Sequence, residues 1–287
     1  MSKTFDFDFH NHTAPQSDCA TQSITELVNK ARDFGITTLA LTNHDTLDGL
    51  DEAKSLCDRY GITLINGVEL TCHIKGESSD LDGAIVHILG HNVDNDPTLF
   101  NQVVAPVKNA NEARVKAICQ YLRDQGHDVD DRTRVKLLAE HLVERKVFAD
   151  VKSANDYLYS DEIEQLFPTH RLTHKEGIAL IHQLHGIAVW AHPLRIWQHA
   201  KFTADELRDV VDRFCACGLN GLEVFHPNNL KDSDGVKTLL QIAADKNLLI
   251  TLGSDTHEVD DVYRYAVLVQ GLNDFRFDAA KLRRAKL

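Results

Sequence analysis

No Cys-x-x-Cys pair occurs among the six cysteines of this chain, which are scattered at Cys19, Cys57, Cys72, Cys119, Cys215 and Cys217. That excludes the usual dithiol redox motif and the all-thiolate metal site, and it suits a reducing compartment. No uninterrupted apolar stretch approaches the ~18 residues that a membrane span needs. The opening Met1-Ser2-Lys3-Thr4-Phe5-Asp6 has no apolar core of the kind a secretory signal carries. A cytoplasmic protein without a membrane partner is therefore expected. Positive charge is short as well: 31 Lys and Arg against 43 Asp and Glu leave a formal charge of -12. Attraction to a phosphate backbone needs clustered Lys and Arg, so a nucleotide or nucleic-acid substrate must be held locally, by cations or a few arginines. Internal repeats and low-complexity segments are lacking too, and nothing calls for a protein partner.

Histidine, by contrast, is abundant at 16 residues, and its placement is regular. Phe5 to Phe9 alternates Phe with Asp and then delivers His10-Asn11-His12. Side chains alternate faces along a strand, so two histidines two apart at its end point the same way and can share one cation. Comparable sites follow later apolar runs: Asn43-His44-Asp45 after Thr37 to Thr42, Glu69 after Leu64 to Val68, and His87 after Ala84 to Val86. Further along come Ala191-His192-Pro193 after Ile187 to Trp190, His226 after Leu222 to Phe225, and Gly253-Ser254-Asp255-Thr256-His257 after Leu248 to Leu252.

Helical patterns separate these runs. Ser23-x-x-Glu26 and Thr203-x-x-Glu206 are capping boxes opening helices that Gly35 and Gly218 end. Further helices near Leu47 to Tyr60 and Gly235 to Lys246 stop at Gly61 and Asn247. Strand alternating with helix signals parallel βαβ units. In a closed βα barrel, residues at the C-terminal ends of the strands gather on one rim, and every candidate ligand is expected at such an end. The alternation breaks between about Pro97 and His170, where amphipathic patterns (Val115, Ile118, Tyr121, Leu122, then Val135, Leu138, Leu142) predict a helical insertion. Its acidic joints, Asp124 to Asp131 and Asp150 to Asp161, read as solvated loops. The expected organisation is a barrel over 1–97 and 171–287, interrupted by an insertion over 98–170.

Histidine with Asp and Glu, and no cysteine at ligand spacing, suits Zn²⁺, Mn²⁺ or Fe²⁺ without discriminating among them. His10, His12, Asp18, His44, Glu69, His87, His192, Asp255 and His257 exceed the positions around one ion. Two or three ions are implied, with a carboxylate such as Glu69 bridging. Paired divalent cations lower the pKa of a bound water, supply hydroxide at neutral pH and neutralise phosphoryl oxygens, so an acidic protein can process an anionic ester.

The ordered set His10-x-His12, Thr42-Asn43-His44-Asp45, Gly67-Val68-Glu69, Val86-His87-Ile88-Leu89-Gly90, Ala191-His192-Pro193 and Gly253-Ser254-Asp255-x-His257 resembles the PHP (polymerase and histidinol phosphatase) family of metal-dependent phosphoesterases. The resemblance runs along nearly the whole chain. It implies an α/β fold, a distorted seven-stranded (β/α)7 TIM-like barrel with a helical insertion, and a trinuclear site. One ion would take His10, His12, Glu69 and Asp255, a second Glu69, His87 and His192, and a third Asp18, His44 and His257. The insertion and the Ala-His-Pro-x-Arg run are similar to the branch acting on nucleoside 3',5'-bisphosphates and on short RNA from its 5' end. Asn43 stands where the family usually has Asp, a change expected to adjust how His44 is oriented, and the first loop is one residue longer than in that branch.

Arg195, three residues after His192, and Arg134 in the insertion are candidate phosphate clamps, since a planar guanidinium meets phosphate bidentately. His226 is a candidate for contacting the phosphate or protonating the leaving oxygen. Each also has a plainer reading: Arg134, with Arg132 and Lys136, resembles a solvated helix start, and His226-Pro227 can simply turn the chain. The expected activity is phosphoester hydrolysis on a nucleotide or short 5'-phosphorylated RNA. The alternatives are another phosphomonoesterase of the histidinol phosphatase kind, a metal-dependent amide hydrolase, and a noncatalytic metal-bound module. An amide hydrolase would be favoured by a lysine at a strand end suited to carboxylation, and none is presented.

Overall fold

A computed structural model of the chain describes residues 6–75, 83–195 and 203–275. Two compact units are present, Met1–Phe100 with Leu172–Leu287, and Asn101–Arg171.

The first unit holds β1 (Phe7–Asp8), β2 (Thr38–Leu41), β3 (Thr63–His73), β4 (Ile85–His91), β5 (Leu172–Thr173), β6 (Ile187–Trp190), β7 (Gly221–Phe225) and β8 (Leu249–Leu252). The strands join in the order β1-β2-β3-β4-β6-β7-β8, with the short β5 beside β3. Phe9 N–H donates to Leu252 O at 3.1 Å and Asp255 N–H to His10 O at 2.8 Å, which ties the end of the first strand to the end of the last. A parallel bridge from Asn11 to Thr256 continues that closure. The sheet is therefore the distorted seven-stranded α/β barrel that the family resemblance implies.

Helices α1 (Ile24–Asp33) and α2 (Leu50–Tyr60) follow β1 and β2. Ser23 and Glu26 form the predicted capping box of α1, and α2 ends at Gly61, whose φ of 68° places it in the left-handed region. The central strands are buried on both faces: all five residues of β7 are buried, as are Leu39, Ala40 and Leu41 of β2.

One expectation fails at β3 and β4. Glu69 and His87 do not terminate parallel strands. β3 runs on through eleven residues to His73, and β4 pairs antiparallel with both β3 and β6. Because β4 is reversed, its beginning lies where its neighbours end, and the register setting Thr71 opposite His87 carries that histidine to the same rim.

The second unit is helical, formed by most of α3 (Pro97–Asp124) with α4 (Val135–Glu144), α5 (Val151–Leu158) and α6 (Asp161–Leu166). It has its own core, in which Ile118, Leu138, Ala139, Leu142, Ala154, Leu158 and Ile163 are fully buried. Arg114 ties its far end together, donating to Phe167 O at 2.7 Å, Leu158 O at 3.0 Å and Glu164 Oε1 at 2.8 Å. The stretch from Asp150 to Asp161, expected as a loop, contains α5. Asp150 caps it, accepting from Ser153 N–H at 2.7 Å. Acidic residues cluster there because helix starts leave free N–H groups for them to accept from.

The first unit resumes with α7 (His174–Gln183), α8 (Ala204–Ala216), α9 (Ser233–Asp245) and α10 (Val262–Asp274). Thr203 and Glu206 form the predicted capping box of α8. Among the described residues, no helix is long and apolar enough to cross a membrane.

Candidate metal centre

β1 delivers His10 and His12 with their Nε2 atoms 3.1 Å apart. Both face the same carboxylates. Glu69 Oε2 lies 3.1 Å from His10 Nε2 and 3.0 Å from His12 Nε2, and Asp255 Oδ1 lies 3.4 and 3.2 Å from the same two atoms. One ligand atom from each of the four residues falls within 4.8 Å of the others. His10, His12 and Glu69 are at most 1% exposed and Asp255 is 8% exposed. Glu69 is the hub. His44 Nε2 is 3.3 Å from its Oε2, while its Oε1 takes His87 Nδ1 at 2.9 Å and His192 Nε2 at 3.2 Å. Two buried carboxylates and two imidazole nitrogens aimed at one point require positive charge between them, and a divalent cation matches that donor set.

The electrostatics have the same origin. Burial disfavours the charged form of His10, but the carboxylates of Glu69, Glu223 and Asp255 outweigh it and hold the imidazole well above its ordinary value. His12 is raised in the same way by Asp255 and Glu69. Burial likewise opposes ionisation of Glu69 and Asp255, yet the surrounding histidines, His10 foremost, keep both carboxyls well below the usual range. His44 and His257 behave oppositely, since burial lowers both and the cationic His12 adds to the effect. Left-handed backbone also occurs here. Asp45, His192 and Asp255 adopt φ of 52°, 33° and 54°, left-handed conformations that non-glycine residues keep only where the surroundings hold them.

Several supporting residues carry no signal in the sequence. Glu223 looks like an ordinary polar position in an apolar run, but on β7 it is 0% exposed. Its Oε1 accepts from His10 Nδ1 at 2.9 Å and its Oε2 from His192 N–H at 2.9 Å. A carboxylate on the far nitrogen of a ligating histidine fixes the ring's tautomer and orientation and raises its basicity. Glu223→Gln is expected to weaken divalent-metal affinity about 10–100-fold with the fold retained, measured by competition against a chelating dye; unchanged affinity would exclude this part for Glu223. Gly253 permits the arrangement, because a Cβ there would collide with His10 and the Glu223 carboxylate. Asp8, also fully buried, accepts from Ser254 N–H at 2.9 Å and Ser254 Oγ–H at 2.6 Å, holding the turn that carries Asp255.

Asn43 acts on His44 through the first loop and not by touching its ring. No hydrogen bond joins its side chain to the His44 ring among the described residues. Instead Asn43 Oδ1 accepts from Thr13 N–H at 2.8 Å and Ser17 Oγ–H at 3.1 Å, and Ser17 Oγ accepts from His44 N–H at 2.9 Å. The amide organises the first loop, and the loop positions His44.

The structure brings together His10, His12, His44, Glu69, His87, His192, Asp255 and His257, and with them His226. The His226 ring is fully buried: its Nδ1 accepts from Asn228 N–H at 3.0 Å, and Nε2 then carries the proton and donates to Asp255 Oδ2 at 3.1 Å. With both nitrogens engaged, His226 supports Asp255; the proton-donating part expected of it has no free ring nitrogen. Asp18 is exposed and outside the groups of convergent ligand atoms, while its neighbour Cys19 is inside one. Burial of the thiol, with the carboxylates of Glu69 and Asp255 nearby, pushes Cys19 up to about 12, although the residue as a whole is exposed. Arg195 is exposed after His192, and Arg134 is exposed at the start of α4 in the second unit.

An α/β barrel whose rim gathers histidines around shared, buried carboxylates is the framework of a metal-dependent hydrolase. The chain belongs to the PHP domain family, which matches residues 8–216. It is 30% identical over 261 residues to a 5'-3' exoribonuclease of Haemophilus influenzae, covering 88% of this chain and 89% of that protein. It is 26% identical over 266 residues to a phosphoribosyl 1,2-cyclic phosphate 1,2-diphosphodiesterase of Eggerthella lenta, covering 87% and 93%. Among solved structures it is similar to a Bifidobacterium adolescentis protein assigned as a metal-dependent phosphoesterase, with a TM-score of 0.67, 29% identity, and coverage of 88% of this chain and 87% of that one.

Proposed function

We propose that this PHP-family metal-dependent phosphoesterase acts on nucleotides, with nucleoside 3',5'-bisphosphates and short 5'-phosphorylated RNA as its substrates. The observation that carries the reading is the Glu69 hub, one buried carboxylate facing His10, His12 and His44 through one oxygen and His87 and His192 through the other. His10, His12, Glu69 and Asp255 would hold one ion, Glu69, His87 and His192 a second, and His44 and His257 a third. Bound there, divalent Mn²⁺, Zn²⁺ or Fe²⁺ would lower the pKa of water to supply a nucleophile near neutral pH and offset charge on the phosphoryl oxygens.

The chain's own residues do the rest. Glu223 orients His10 through the ring and His192 through the backbone, and His226 orients Asp255. The exposed Arg195 guanidinium, three residues beyond His192, supplies charge for a phosphate in a protein whose net charge of -12 otherwise repels one. A noncatalytic metal module is disfavoured because the buried first set is whole and the rim keeps partly exposed ligands, His44 and His257, at which a substrate can arrive.

The test is phosphate release by Mn²⁺-loaded protein from nucleoside 3',5'-bisphosphates, mononucleotides, histidinol phosphate and short 5'-phosphorylated RNA, with His192→Ala as control. Release confined to the nucleotide or RNA members and lost in the control is the expected result. Preference for histidinol phosphate, or no release despite bound metal, would overturn the substrate assignment.

A further inference from the structure

The first loop offers the rim a ligand that neither composition nor spacing suggests. Cys19 Sγ and one ring nitrogen each of His12, His44 and His257 lie within 4.8 Å of one another. Bonds on both sides of Cys19 fix its place. Before it, Ser17 Oγ donates to Asn43 Oδ1 at 3.1 Å and accepts from His44 N–H at 2.9 Å. After it, Thr21 and Gln22 N–H donate to His257 O at 2.9 and 3.2 Å, and Gln22 Nε2–H donates to His12 O at 2.9 Å. The loop is thus anchored to the backbones of the three histidines whose rings meet the thiol. Those rings stack, His12 on His44 with centroids 4.6 Å apart and His12 on His257 at 4.5 Å.

We propose that Cys19, rather than Asp18, is the loop's ligand to a divalent cation held with His44 and His257, and that this sulfur biases the position toward zinc- and cobalt-type cations over manganese. The inference rests on reading the rim as a metal centre. His12 serves the buried set with His10, so Cys19, His44 and His257 are three protein ligands with a fourth position open, the pattern of a catalytic rather than a structural zinc site. On binding, the thiol proton passes to solvent and the thiolate sulfur donates to the cation. Thiolate and imidazole together select zinc-like ions, whereas manganese favours oxygen donors. The site is also the more open one: the side chains of His44 and His257 are 24% and 21% exposed, against 0% for His10 and His12. Its cation is therefore expected to be the first lost to a chelator.

Cobalt titration of the metal-stripped protein tests this by absorbance. The expected result is a near-ultraviolet thiolate-to-cobalt charge-transfer band that disappears in Cys19→Ala, together with one equivalent of bound metal, and survives in Asp18→Asn. Circular dichroism checks that each variant folds, and the loop position of Cys19 makes Cys19→Ala tolerable. Visible cobalt absorption without the charge-transfer band, a band that persists in Cys19→Ala, or loss of an equivalent only in Asp18→Asn would overturn the proposal while leaving the metal centre standing. No cobalt absorption at all would overturn both.

Discussion

Glu69→Gln is expected to lower the rate of phosphate-ester hydrolysis by at least about 10³-fold, beyond the 10–100-fold typical when a residue behind a metal ligand is lost. The reason is geometric. Glu69 is 1% exposed, and its two oxygens serve two sets of imidazoles: His10, His12 and His44 on one, His87 and His192 on the other. An amide of the same shape keeps one oxygen and turns the other position into an N–H donor, so one set of histidines loses its anion whichever way the amide lies. The carboxylate is also what allows His10 to carry charge in a buried place. Without it, a protonated His10 keeps Glu223 and Asp255 but loses one of its three carboxylate partners.

The effect should appear in metal content as well as in turnover. Metal analysis after dialysis should find Glu69→Gln with fewer bound equivalents than wild type, while far-ultraviolet circular dichroism remains that of the barrel. A variant retaining full metal content and more than about a tenth of the wild-type rate would mean that Glu69 is a packing partner and not the bridge between ion sets.

His10 and His12 are legible in the sequence because the period of two in a strand is a strong constraint, and a run as regular as Phe-Asp-Phe-Asp-Phe leaves little doubt which way the following histidines face. The capping boxes at Ser23 and Thr203 are equally local, needing only side chains three apart. What escaped depends on distant partners. The direction of β4 is not written in Ile85 to His91, since a short apolar run pairs as readily either way, and only its neighbours β3 and β6 set it antiparallel. Glu223 escaped because a charged residue inside an apolar run normally points to water, whereas β7 is buried throughout and its one carboxylate was kept for His10. Cys19 escaped for a third reason: the direction of a loop side chain follows from bonds made by Asn43, Gln22 and the His257 backbone, residues up to hundreds of positions away. The acidic joint at Asp150 shows the converse error, in which composition suggested a loop and the capping geometry made a helix.

Metal binding at the buried set is expected to release protons, and its strength to rise by up to about 10²-fold per pH unit below the raised values of His10 and His12, because two of the four buried ligands must give up a proton first. His10 and His12 both sit above 6.5, held there by Glu69, Asp255 and, for His10, Glu223. Below their raised values both rings are charged and closed to a cation; as pH rises through those values each deprotonation contributes a factor of about ten per unit, and above them the dependence flattens. At the more open site the Cys19 thiol, pushed up to about 12, gives up a further proton only when that site fills. Glu69 and Asp255 are held well below the usual carboxylate range and are already ionised, while His44 and His257 are lowered beneath 6.5 and are already neutral. Calorimetric titration with Mn²⁺ at the ordinary imidazole value of about 6.5, which both rings exceed, in two buffers of different ionisation enthalpy, measures the protons released directly; heats that do not depend on the buffer would show that the rings are neutral before the metal arrives. Glu223→Gln gives the internal check. Removing that carboxylate takes away one of the groups that raise His10, so the variant should release fewer protons per ion even as it binds the ion less tightly, a pairing that simple loosening of the site would not produce.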